Sequence, residues 1–301
     1  MTKILIIGTG AIGGLYGAKL AQAGAEVSVL CRSDYETVKK NGISIHSHWG
    51  NFHFTPKKVL RDLRDYQDQA DFILVSTKVL PEISVPDLVT PVLAPNSSIV
   101  LLQNGLNIEK PVAAAFTDYH LISAIAFVCV QKNKAGIVDH QDYGRLIIGD
   151  FGGGVSEKTA HLIDLWRKAG VPCEPSENIQ MERWKKLVWN ASFNPISVLS
   201  GGADTGKILN ILAAKNLVQN VMQEICTLAE ADGCKLPEDV IAKNIEATEK
   251  MKPYKTSMLL DFEAGRKMEV EAILGNAIAF ARDRAISVPH LSSLYGLLAC
   301  Y

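Results

Sequence analysis

Residues 3–14 read Lys-Ile-Leu-Ile-Ile-Gly-Thr-Gly-Ala-Ile-Gly-Gly: a short apolar run, then Gly8, Gly10 and Gly13 in G-x-G-x-x-G spacing. An Ala- and Leu-rich segment continues to Gly24, so the stretch predicts a strand, a tight turn and a helix, the opening of a dinucleotide-binding fold. Each glycine has its own task there. Gly8 permits the turn, Gly10 lets the backbone approach a pyrophosphate that a Cβ would push away, and Gly13 lets the helix close on the strand. The phosphates would sit on the helix N-terminus, among Thr9, Ala11 and Ile12. Glycine triplets also occur in ordinary turns; here both flanks fit the dinucleotide motif.

The next strand selects the dinucleotide. Glu26 to Leu30 alternates and runs into Cys31-Arg32-Ser33, and Arg32 stands 19 residues past Gly13, where an NAD-binding chain carries an acid for the ribose hydroxyls. A guanidinium followed by a hydroxyl suits a 2′-phosphate, because Arg presents forked donors and a charge that does not titrate. NADP(H) is therefore the expected cofactor. Two alternatives stay open: a solvated Arg32 that merely begins the loop, and Asp34 as a ribose partner.

With 301 residues, 48% of them hydrophobic, the chain can bury a substantial core, and its length suggests about two domains. A net charge of −1 without any basic block leaves no electrostatic footprint for nucleic acid or an anionic membrane, so the expected partner is a small molecule. With the first strand beginning at Lys3, no leader is expected, and the longest apolar run, Leu121 to Val130, is too short to span a bilayer. A cytoplasmic protein is expected. A homodimer is compatible with the sequence. The six cysteines form no C-x-x-C pair and sit mostly in apolar segments, as reduced packing residues do. His46, His48 and His53 flank a turn at Gly50-Asn51; a surface hairpin explains them better than a metal site, and no metal is expected.

Up to about residue 175 strand and helix patterns alternate, with strands predicted at Lys3–Ile7, Glu26–Leu30, Phe72–Ser76, Ser98–Leu102, Leu121–Val128 and Leu146–Gly149. This is the pattern of an α/β fold, a Rossmann-type doubly wound sheet. After Glu177 helical periodicity takes over, at Met181–Phe193, Ile208–Asp232, Glu238–Met251, Thr256–Ala264, Met268–Arg284 and Leu291–Ala299. The expected organisation is a dinucleotide-binding domain at 1–177 and an all-helical substrate and catalytic domain at 178–301. In the helical part Val270, Ile273, Leu274, Ala277, Ile278 and Ala281 form a stripe that must be buried.

Ligands of an open α/β sheet gather at the carboxyl ends of its strands. That rule singles out Thr77-Lys78 after the third strand and Gln103-Asn104-Gly105 after the fourth. Taken singly, Lys78 is also readable as a solvated loop lysine and Asn104-Gly105 as a turn dipeptide. Further along, Lys186, Asn190 and Asn194 are spaced i, i+4, i+8 and share one helix face, while Trp184, Leu187, Val188, Trp189 and Phe193 make much of the rest apolar. Asn is a poor helix former with a two-sided amide suited to directed hydrogen bonds, although Asn194 would also serve as a cap before Pro195. A partly buried Lys186 would have a lowered pKa and act as a proton donor near neutrality; the bland alternative is a solvated helix lysine. Ser257 is readable as a cap, and Glu269 and Glu271 as first-turn acids favoured by the helix dipole.

Taken together, these fragments resemble the ketopantoate reductase (2-dehydropantoate 2-reductase) family, NADPH-dependent enzymes of pantothenate synthesis. The resemblance runs essentially end to end: the glycine loop with Arg32, Lys78, Gln103-Asn104-Gly105, Trp184-Lys185-Lys186-Leu187 with Asn190 and Asn194-Pro195, and Thr256-Ser257-Met258 with Gly265-Arg266 and Glu269-Val270-Glu271. It implies that Lys186 is the general acid protonating a ketone oxygen as hydride arrives from NADPH. It also implies that Asn104 and Ser257 help bind the substrate, that Asn190, Asn194 and Glu269 hold its polar groups and orient Lys186, that Arg32 takes the 2′-phosphate, that Lys78 lies beside cofactor and substrate, and that Asn104 contacts the cofactor as well. The chain departs from the family pattern at Ala124-Ile125-Ala126-Phe127 and at Asp204-Thr205-Gly206, so another branched 2-oxo acid stays open as substrate. Two other readings compete: a hydroxyacid or polyol-phosphate dehydrogenase, and an NADP(H)-binding sensor without turnover.

Overall fold

The computed structural model describes residues 1–301 and divides into two compact units. The first is built on β1 (Lys3–Ile7), whose Ile4 to Ile7 are all fully buried. Such an unbroken apolar run belongs to a strand covered on both faces rather than one with a wet side. The same holds for β6 (Phe72–Val75) and β7 (Ser98–Leu101). Between β1 and β2 (Glu26–Leu30) runs α1 (Ala11–Gln22), and α2 (Tyr35–Asn41) leads to β3 (Ile43–Ser47), β4 (Phe52–Phe54) and β5 (Val59–Leu60). α3 (Val85–Val89) lies between β6 and β7, and α4 (Lys110–Ala115) precedes β8 (His120–Lys134) and β9 (Ile137–Asp150). α5 (Glu157–Lys168) and β10 (Cys173–Pro175) complete the unit.

The strands form one ten-stranded sheet in the order β4-β3-β9-β8-β7-β6-β1-β2-β5, with β10 paired to β9. From β5 to β8 every pairing is parallel, the doubly wound arrangement expected. β9 then returns antiparallel to β8. The last two long strands exceed their predicted lengths, 15 and 14 residues where Leu121–Val128 and Leu146–Gly149 were expected. Polar residues from Gln131 to Lys134 and from Asp139 to Asp142 hide their tips, and register shifts at Phe127/Val128 and Cys129/Val130 break the alternation that marks a strand. The hairpin around Gly50-Asn51 is present as β3 and β4, but it is not merely superficial: Ile43, Ile45 and Phe54 are buried, and His46 pairs with Asp139 at 2.9 Å.

The second unit holds residues 180–301 together with two short inserts, Val79–Glu82 and Asn104–Asn107. Its central helix α6 (Ile179–Leu199) is followed by α7 (Thr205–Asn210), α8 (Leu212–Ala231), α9 (Val240–Lys250), α10 (Ser257–Glu263), α11 (Asn276–Asp283) and α12 (Pro289–Leu298). α6 runs through Pro195 instead of ending at an Asn194 cap. An internal proline costs about 3 kcal/mol. Burying Phe193, Ile196 and Val198, all at most 5% exposed, returns roughly 1.5–3 kcal/mol each, so packing outweighs the local penalty. The predicted single helix at Ile208–Asp232 is broken at Ile211, and Met268–Arg284 divides into a π-helical turn (Glu271–Gly275) and α11. The apolar stripe is buried at Ile273, Leu274, Ala277 and Ala281 and half-buried at Val270 and Ile278. All six cysteines are free; Cys300 is exposed, unlike the packing residue expected. No helix is long and apolar enough to cross a membrane.

Candidate functional site

In the sheet unit the glycine loop leaves β1 at Gly8, whose φ of +99° is open to glycine and strained for other residues. The turn closes through Gly10 N–H to Gly8 O at 2.8 Å, and the Ser76 hydroxyl donates to the same carbonyl at 2.8 Å. A Cβ on Gly13 would meet Gly8 O at 2.4 Å, whereas one on Gly10 would meet nothing within 4 Å. The two glycines therefore serve different ends: Gly13 closes α1 against β1, and Gly10 faces open space. α1 has neither a side-chain cap nor an acid in its first turn, so its leading N–H groups are left to an outside acceptor. Thr9 is buried and ties the loop to β2 through its hydroxyl, 2.7 Å from Leu30 O.

At the end of β2 the Arg32 guanidinium is exposed and makes no ion pair or hydrogen bond with the protein. Asp34 is different. It is 7% exposed and accepts from Lys132 Nζ at 2.7 Å, Ser33 Oγ at 2.9 Å and Gly136 N at 3.2 Å, which outweigh burial and hold its pKa below the usual carboxylate value. Three donors thus already engage the carboxylate that stands as the alternative ribose partner. Lys78, part-buried, ends the segment after β6, and Gln103 binds that segment through Nε2 to Thr77 O at 2.8 Å.

The helical unit assembles a second constellation. Lys186, on α6, donates to Asn104 Oδ1 at 2.5 Å; Asn104 belongs to this unit by contact although it follows β7 in sequence. Lys186 as a whole is only part-buried, yet its ammonium is surrounded by protein. Desolvation first, and the neighbouring Arg183 second, lower its pKa to about 7, with Glu269 opposing the shift. Arg183, one turn before Lys186, is buried and donates to Gly105 O at 3.3 Å. Sequence reasoning passed over Arg183, although the 3-residue spacing to Lys186 places both on one face.

Glu269 accepts from Val79 N at 2.9 Å, so it pins the segment after Lys78 as well as facing the Lys186 charge. Asn194 is 1% exposed, and both ends of its amide lack a hydrogen-bond partner. Such a group is costly to keep unless something else satisfies it. Asn190 is half-buried and Ser257 exposed; neither side chain makes a hydrogen bond. The α10 cap is Thr256, whose hydroxyl accepts from Leu259 N at 3.2 Å, so Ser257 is not the cap considered for it. Glu271 bonds the Tyr295 hydroxyl at 2.7 Å. No group of three or more His, Cys, Asp or Glu side chains is placed to hold a metal ion.

A family model described as ketopantoate reductase PanE/ApbA matches residues 4–153, and its C-terminal companion matches residues 178–301. A 2-dehydropantoate 2-reductase of Nostoc sp. is 34% identical over 298 residues, covering 97% of this chain and 93% of the relative. Among solved structures, 2-dehydropantoate 2-reductase from Methylococcus capsulatus superposes with a TM-score of 0.93 at 48% identity, covering 99% of this chain and 96% of that one. The enzyme of the same name from Geobacter metallireducens GS-15 gives 0.93 at 32% identity, covering 99% of both chains.

Proposed function

Because this chain belongs to the ketopantoate reductase family of oxidoreductases, we propose that it reduces 2-dehydropantoate to pantoate with NADPH, a cytoplasmic step of pantothenate synthesis. The single observation that supports the chemistry best is the Lys186 ammonium, desolvated to a pKa of about 7 and hydrogen-bonded to Asn104. NADPH, when bound, supplies hydride to the carbonyl carbon. Charge then builds on the carbonyl oxygen, and Lys186 both stabilises it and donates the proton that makes the alcohol. Near pH 7 such a lysine is about half protonated, so it gives up its proton far more readily than an ordinary lysine.

Other residues position the partners. Asn104 aims the ammonium, and Glu269, which raises the Lys186 pKa against its burial, keeps part of the population charged. Asn190, Asn194 and Ser257 offer uncommitted polar groups to the carboxylate and hydroxyl of the substrate. On the sheet unit the open face of Gly10, the uncapped start of α1 and the free Arg32 guanidinium suit a dinucleotide with a 2′-phosphate. Thr9, Ala11, Ile12 and Lys78 complete that surface in this reading, in which residues 1–177 carry the cofactor and 178–301 the substrate and Lys186.

The test is steady-state oxidation of NADPH with 2-dehydropantoate beside other branched 2-oxo acids. A kcat/KM at least tenfold higher for 2-dehydropantoate supports the proposal. Preference for another 2-oxo acid moves the substrate, and binding of NADPH without turnover of any would leave a sensor.

A further inference from the structure

The acid after β2 raises a question of charge. Asp34 stands two residues beyond Arg32, where a carboxylate would repel a 2′-phosphate and draw ribose hydroxyls instead. Its charge is met by a lysine from far along the chain: Lys132, near the tip of the β8–β9 hairpin, places its ammonium 2.7 Å from Asp34 Oδ2 and 3.3 Å from the carbonyl of Thr9 in the glycine loop. Both side chains are well shielded, Lys132 at 26% and Asp34 at 10% exposure, so the pairing is not an ordinary solvated surface contact. Gly136 N also donates to Oδ2, at 3.2 Å, and Ser33 Oγ donates to Oδ1 at 2.9 Å. Arg32 meanwhile stays exposed and unpaired.

We infer that Lys132 is a cofactor-selecting residue: by neutralising Asp34 and holding it beside Thr9, it leaves Arg32 as the uncompensated charge at the end of β2 and so favours NADPH over NADH. Without Lys132 the carboxylate would be released to oppose the phosphate and to accept from the ribose hydroxyls. The inference rests on the NADP(H) reading above and adds to it a residue 100 positions from Arg32 in the chain.

The experiment measures dissociation constants of the folded full-length protein for NADPH and NADH by nucleotide fluorescence, for wild type, Lys132→Met, Lys132→Arg, Asp34→Asn and the double variant Lys132→Met/Asp34→Asn. Lys132→Met should lower the NADPH-over-NADH preference about tenfold or more, Lys132→Arg should retain it, and Asp34→Asn in the Lys132→Met background should restore most of it. A purely structural role would weaken both nucleotides alike and leave their ratio unmoved. A wild type that prefers NADPH, with a ratio that Lys132→Met leaves within twofold, would overturn this inference alone. A wild type that binds both nucleotides equally would take down the cofactor reading and this inference with it. Should Lys132→Met fail to fold, the Asp34→Asn variant decides: it should keep or raise the preference, and a fall would overturn the assignment.

Discussion

The ammonium of Lys186 loses water when the chain folds and recovers only part of that solvation from Asn104 and Glu269, so its pKa settles at about 7. Below that pH it is charged and able to donate; above it the amine is neutral. Reduction should therefore slow about tenfold per pH unit above 7, read as kcat/KM across pH 6–9. Lys186→Ala should lower kcat roughly 100- to 10,000-fold while the NADPH dissociation constant stays within twofold, because the glycine loop is untouched. The same burial has a signature in stability. A lysine whose folded pKa is lowered binds its proton less well than in the unfolded chain, so its penalty is full below about pH 7 and fades toward the ordinary lysine value. Lys186→Met should then raise unfolding stability by about 0.5–2 kcal/mol or more at pH 7, and by less at pH 9, in urea titrations at the two pH values. The residue types at 186, 190 and 194 and their common face were legible in the sequence. The depressing influence of Arg183 was not, because it depends on which side chains share a desolvated volume.

The strand–turn–helix element around β1 and α1 separates two roles that look alike in sequence. A methyl on Gly13 would be forced against Gly8 O at 2.4 Å and Ser76 Oγ at 2.5 Å, and one on Gly10 would enter open space. Gly13→Ala should accordingly destabilise the protein by about 1–3 kcal/mol, as overpacking does. Gly10→Ala should leave stability within about 0.5 kcal/mol yet weaken NADPH about tenfold or more, because the new methyl occupies the approach to the α1 N-terminus. Thermal melts and nucleotide titrations of the two variants distinguish them. Elsewhere element boundaries were less legible. The tips of β8 and β9 hold polar residues whose strand conformation comes from pairing with each other, and α6 outlasts Pro195 because its apolar neighbours have a core to enter.

At the scale of the whole molecule the two units are not two consecutive stretches of chain, since Val79–Glu82 and Asn104–Asn107 belong by contact to the helical unit. Leu106 is fully buried in the helical core, Leu106 N donates to Ala272 O at 2.9 Å, and Asn276 Nδ2 donates to Leu106 O at 2.7 Å. Residues 178–301 expressed alone should therefore fail to fold cooperatively, losing Leu106 from the core and Asn104 from Lys186; circular dichroism melts with a shallow transition would show it, and a sharp cooperative melt would contradict it. NADPH at about 100 times its dissociation constant should stabilise the intact chain by about 2.7 kcal/mol, measured as a shift in the denaturation midpoint. The sequence by itself determined the local features: the glycine turn, the change from alternating to helical periodicity near residue 175, the Lys186–Asn190–Asn194 face and the absence of an acid at position 32. Each is a matter of short-range periodicity or of a single residue's conformational freedom, which neighbouring residues suffice to reveal. Only the tertiary structure decided that Lys132 neutralises Asp34, that Asn104 meets Lys186, and that Glu269 holds Val79. These pairs are separated by 98, 82 and 190 residues, and no local pattern encodes them, because the charge and desolvation that give them meaning exist only once distant segments share one interior.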